Sequence, residues 1–148
     1  MICFVSKYRP VSIQARNTER YKERLQEEFK EFRDIYPDLP LGEPLYSKIV
    51  YIHKRKTDID VDKMSKPFVD AFRGIIYSDD NIINHRICTK IRLEDMAYCE
   101  IKLDNLPEKV AEKLDEYLSN GEEHIVYYEI GKFSNNLVSI GDEWNEIR

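Results

Sequence analysis

The alternating aspartates Asp58, Asp60 and Asp62, followed by the adjacent pair Asp79–Asp80, decide where a long stretch of this chain can lie. Like charges set this closely are costly to remove from water, so the stretch must run along a surface where solvent, basic side chains or a bound cation compensates it. Basic residues are at hand. Lys63, Lys66 and Arg73 fall inside the stretch, His53-Lys54-Arg55-Lys56 precedes it, and Arg86, Lys90 and Arg92 follow. An acidic run alone is most simply a solvated face, but the spacing here permits more. In extended backbone, Asp60 and Asp62 point to one side and offer hard oxygen ligands suited to Mg²⁺ or Mn²⁺. Lys66 follows Asp62 by four and Asp70 follows Lys66 by four, so a helix through these positions stacks them on one face. Asp70 then reads as a structural partner of Lys66 or Arg73. Asp79–Asp80 comes one helix and one turn later, and a connection of that length can return to the carboxyl end of the strand before the cluster, bringing the carboxylates together.

The 148 residues suffice for one domain with a real core, and 42% hydrophobic residues with ten tyrosines and six phenylalanines mark the chain as globular. No apolar run approaches the ~20 residues that span a bilayer, and MICFVSKYRP does not look like a signal peptide. We therefore expect an intracellular, cytoplasmic protein with no membrane partner. Cys3, Cys88 and Cys99 have no C-x-x-C spacing, which argues against a disulfide framework and a zinc site. The net charge of −5 excludes a protein that coats nucleic acid without selectivity, since that binding is driven by neutralising phosphates. Any contact with DNA falls to local patches, for which Lys54, Arg55, Lys56 and Lys63 are the candidates.

Residues Ile2 to Ser6 read as a strand ended by Arg9-Pro10. Tyr21, Leu25, Phe29 and Phe32 recur at helical spacing and predict an amphipathic helix from about Asn17 to Ile35, capped by Asn17 or Thr18. Leu45–His53 is a second strand, and a helix from Asp62 or Ser65 to Arg73 buries Phe68, Val69 and Phe72 before Gly74. Asn81–Leu93 is a third strand, and the alternation of Ala97–Leu103 predicts a hairpin through Glu94-Asp95-Met96. A helix from Leu106-Pro107 to Leu118 and a strand from His124 to Ile130 complete the chain. The predicted class is α+β, a mixed sheet packed against helices. Residues 1–106 form the main domain, and residues 107–148 form a C-terminal helix-strand extension packed on the same domain.

The segment Asp60-Val61-Asp62-Lys63-Met64-Ser65-Lys66-Pro67-Phe68-Val69-Asp70-Ala71-Phe72, followed by Tyr77-Ser78-Asp79-Asp80, resembles the signature of RusA-type Holliday junction resolvases. That signature is D-x-D-N, a lysine four after the second aspartate, a D-A-L-like continuation, then an aromatic and D-D. The resemblance covers residues 1 to about 105 and implies a RusA-like fold. It also implies that Asp60, Asp62 and Asp80, with Asp79, hold Mg²⁺ or Mn²⁺, and that Asp60, Asp62, Lys66 and Asp80 are catalytic. The implied activity is structure-selective endodeoxyribonuclease cleavage of four-way DNA junctions by a homodimer, through paired symmetric nicks in recombination and repair. Lys63 stands where the family has asparagine, so a cation replaces a side-chain amide. The alternative is a RusA-like module that binds junctions or proteins with its catalysis impaired.

Overall fold

The computed structural model describes residues 1–11, 16–42, 44–98 and 100–141 of the chain. Four strands, β1 (Ile2–Ser6), β2 (Leu45–His53), β3 (Ile83–Arg92) and β4 (His124–Lys132), form one sheet in the order β1-β4-β2-β3. β4 runs antiparallel to both neighbours, while β2 and β3 are parallel. Three α-helices, α1 (Thr18–Lys30), α2 (Ser65–Ala71) and α3 (Glu108–Asn120), cover the sheet. The class is α+β with a mixed sheet. β4, drawn from the C-terminal 107–148 segment, occupies the interior of that sheet.

One face carries an aromatic core. Phe4 of β1 and Tyr128 of β4 sit opposite each other and stack with ring centroids 4.9 Å apart. Phe29 of α1 and Phe72, just past α2, approach Phe4 at 5.3 and 5.4 Å, and Phe68 of α2 lies 4.7 Å from Tyr128. Such edge and stacked contacts add to the burial of large apolar area. The Tyr128 hydroxyl, deep in this layer, meets the Tyr21 hydroxyl at 2.5 Å, so neither polar tip is orphaned. On the other face α3 packs Val110, Leu114 and Tyr117 inward, and its Lys113 reaches Glu31 beside α1 at 3.2 Å. Gly121 ends α3 at φ +66°, where a left-handed residue lets the N–H groups of Gly121 and Glu122 bond back to the last turn.

The expected long helix to Ile35 stops at Lys30. The Phe32 N–H bonds to the Phe29 carbonyl, three residues back, and a tighter turn follows over Arg33–Ile35. This rotation places Phe32 and Tyr36 in the core. The Tyr36 hydroxyl accepts from the Cys3 N–H at 3.0 Å and donates to the Cys3 carbonyl at 2.5 Å, occupying both groups of a residue in an edge strand. Asn17 makes no side-chain cap hydrogen bond at the start of α1, and α2 begins at Ser65.

The hairpin through Glu94-Asp95-Met96 is also not present. Leu93–Tyr98 forms tight turns, residues 100–102 are not strand, and Cys99 lies outside the described residues. Of that stretch, Leu103 packs against the core from a loop while Ile101 is exposed. Among the described residues, no helix is long and apolar enough to cross a membrane.

Glu28 faces this core from α1. Burial raises its carboxyl from 4.5 to about 7, against the hydrogen bond to Ser6 and the charge of Arg24, and Oε2 has no partner among the described residues. Folding therefore takes up a proton here. The stability linked to that proton is complete below the unfolded value of 4.5 and is lost as pH rises through about 7. Glu28→Gln is expected to raise Tm above wild type by a few degrees at pH 8 and hardly at all at pH 5. Equal Tm shifts at the two pH values would show that Glu28 ionisation is not responsible.

Candidate metal and nucleic-acid site

The path from His53 to Ile83 builds the site. Because β2 and β3 are parallel, with Leu45 opposite Ile83, the chain must travel from the carboxyl end of β2 back to its amino end before β3 begins. Two contacts mark the return. Lys90 donates to the Ile59 carbonyl at 2.8 Å, and Arg86 lies 3.4 Å from the Ser65 hydroxyl, so residues 59–65 run antiparallel along β3. Asp79–Asp80 therefore lies beside the amino end of β2, not the carboxyl end that loop length suggested.

Asp60 is exposed, and Lys63 of the following tight turn lies 3.1 Å from its Oδ2. Asp62 is exposed and has no ion-pair partner among the described residues. Its charge acts on Cys88, whose thiol is raised first by burial and then, more weakly, by Asp62, against Ser65 and Arg86. Lys66, in the first turn of α2, pairs with Asp70 at 3.1 Å as the spacing suggests. Pro67 falls in the same turn, where a missing N–H is cheap.

Gly74 determines where Asp79 and Asp80 come to rest. Its φ of +82° lets the chain reverse after Phe72, its N–H bonds to the Tyr77 carbonyl at 2.6 Å, and the Tyr77 hydroxyl anchors the turn on the Val69 carbonyl. Tyr77 is thus a core residue. The reversal brings Arg73 to 3.1 Å from Asp80, 3.8 Å from Asp79 and 3.9 Å from Asp70. Asp80 is held below the usual carboxylate range, first by a hydrogen bond with the Asp79 side chain and then by the charges of Arg73 and Lys66, partly opposed by burial. Lys66 thus sits one turn beyond Asp62 and within electrostatic reach of Asp80.

Donor chemistry fits a hard divalent cation, since Asp60, Asp62, Asp79 and Asp80 offer carboxylate oxygens at a partly exposed surface. Among the described residues, no three acidic, histidine or cysteine side chains are gathered as a ready ligand group, and all but Asp62 face basic partners. Cation binding therefore requires carboxylates to exchange Lys63 or Arg73 for the metal.

Of the expected DNA contacts, Lys54, Arg55 and Lys56 are exposed beyond β2, with Arg55 paired to Glu123 at 3.3 Å. His53 is buried and hydrogen-bonded to the Arg55 carbonyl at 2.7 Å. A second basic surface was not foreseen. Arg9, Arg20 and Arg24 line a cleft of about 550 Å³ with Tyr8, Asp60 and Lys63. Glu23, Glu27 and Glu28 follow these helix arginines at helical spacing and disguise them as an ordinary solvated face; only the docking of residues 8–11 beside α1 exposes the cleft. Compared with known proteins, the chain matches no family model and no curated protein.

Two substitutions test these pairings. Arg73→Ala is expected to move the Asp80 pKa upward toward the ordinary aspartate value in a carboxyl NMR titration, and an unmoved Asp80 would deny Arg73 that role. Lys63→Asn removes an exposed pairing worth about 0.2–1 kcal/mol, so Mn²⁺ binding by calorimetry should tighten by up to about fivefold, with unchanged affinity as the contrary result.

Proposed function

We propose that this protein is a divalent-metal-dependent endodeoxyribonuclease of RusA-like type that resolves four-way DNA junctions. The observation that supports the reading is the position of Lys66, four residues past Asp62 in the first turn of α2 and ion-paired with Asp70 at 3.1 Å, with a charge that also acts on Asp80. A lysine there neutralises charge that develops on a phosphate during cleavage. Asp60, Asp62 and Asp80, with Asp79, are the residues that would hold a divalent cation, which would supply Lewis-acid polarisation of the phosphate and a more acidic water. Lys54, Arg55 and Lys56 extend beyond β2 as contacts that position the DNA backbone. A twofold-symmetric homodimer gives two equivalent sites, matching a junction that must be nicked twice.

A second reading rests on the Lys63–Asp60 contact, in which a cation of the chain itself occupies one carboxylate. Under it the protein binds junctions without cutting. Purified protein incubated with a labelled four-way junction separates the two. The nuclease reading expects paired nicks in Mg²⁺ or Mn²⁺, loss of nicking with binding retained in Asp60→Asn, and a rate lower by about a hundredfold or more in Lys66→Ala. Binding with no nick in either metal supports the second reading.

A further inference from the structure

The cleft between residues 8–11 and α1 gathers four cations, Arg9, Arg20, Arg24 and Lys63, against two carboxylates, Asp58 and Asp60, which pair with Arg9 and Lys63 and leave the two helix arginines in excess. Arg20 and Arg24 lie one helical turn apart on α1, both are exposed, and neither forms an ion pair among the described residues, although the charge of Arg24 also acts on Glu28. Like charges at this spacing repel, so their convergence on one cleft costs helix stability unless an anion lies between them. Arg9 and Lys63 add two more cations, each held toward the cleft by an aspartate, Arg9 by Asp58 at 3.4 Å and Lys63 by Asp60. Tyr8 completes the wall. Its ring is partly exposed, and the Arg24 guanidinium lies 4.3 Å from the ring centroid, which fixes the ring's orientation.

A charged groove with an aromatic platform is the arrangement that holds single-stranded nucleic acid, in which cations follow the phosphates and bases stack on rings. The geometry points to this cleft as the track for one unpaired DNA strand, with Arg20 and Arg24 on successive phosphates and Tyr8 beneath a base. The volume of about 550 Å³ is on the scale of nucleotides. Asp60 lies on the cleft's wall, so the strand leads directly to the acidic segment. This assignment rests on the nuclease reading for its purpose, but not for its test.

The test is binding of a fluorescein-labelled oligothymidylate by anisotropy in EDTA, where no cleavage occurs, repeated over a range of salt concentrations. Wild type is expected to bind the strand, and inorganic phosphate at matched ionic strength should not compete. The double variant Arg20→Ala/Arg24→Ala should bind about tenfold or more weakly, and its log–log salt slope should be shallower by roughly 1.4, two phosphate contacts' worth for a single strand. Tyr8→Ala should weaken binding about tenfold without changing the slope. Lys30→Ala, at the far end of α1, serves as the charge control, with thermal melting to verify that each variant is folded.

Equal affinity and slope in wild type and the folded double variant would overturn the assignment, as would displacement of the strand by phosphate alone. Loss of nicking in metal, with these binding differences intact, would defeat the nuclease reading and leave the strand track standing.

Discussion

Parallel pairing of β2 with β3 governs everything downstream of His53. Two parallel neighbours cannot be joined by a tight turn, so some thirty residues cross one face of the sheet between them, and the acidic motif is written on that crossing. The crossing is pinned at three places: Lys90 on the Ile59 carbonyl, Arg86 near the Ser65 hydroxyl, and Phe68 and Phe72 in the aromatic layer. Each aspartate is thereby held at the surface by a neighbour that is itself anchored. A charged segment stays on a stable fold because its apolar residues do the packing and its carboxylates remain at the rim.

Compensation of those carboxylates is divided between two cations with different duties. Arg73 sits at the end of α2 and faces Asp70, Asp79 and Asp80 together, a planar guanidinium suited to several oxygens at once. Lys63 is a flexible point charge that pairs with Asp60. The contacts are exposed or nearly so, hence weak individually and readily exchanged. This weakness is compatible with a site that trades internal cations for a metal and a phosphate. Lys66 is paired with Asp70.

Much of this was legible from local pattern. The limits of β1 and β2 match their runs of apolar, β-branched and aromatic residues, and the four-residue spacing of Lys66 and Asp70 becomes an ion pair in α2. What could not be read depended on partners distant in the chain. Nothing in HIVYYEI says that β4 will lie between β1 and β2, because both of its faces and both of its edges are assigned by other strands. The alternation in Ala97–Leu103 looks like a strand, but such a pattern reports only which side is apolar, and here Leu103 uses it from a loop. Arg73's contacts with Asp79 and Asp80, beyond its pair with Asp70 at helical spacing, depend on the Gly74 reversal, whose positive φ is permitted by glycine but not required by it. The cleft arginines were hidden by glutamates at helical spacing, a pattern that cannot distinguish a solvated helix from the wall of a groove.

The account depends on carboxylates from both ends of the crossing sharing one cation. Anomalous diffraction from crystals saturated with Mn²⁺ tests this most directly. It should place a manganese peak in contact with Asp60 and Asp62, with Asp80 turned from Arg73 toward the same ion. Saturated crystals with no such peak, or with Asp80 still seated on Arg73 beside an ion bound elsewhere, would contradict it.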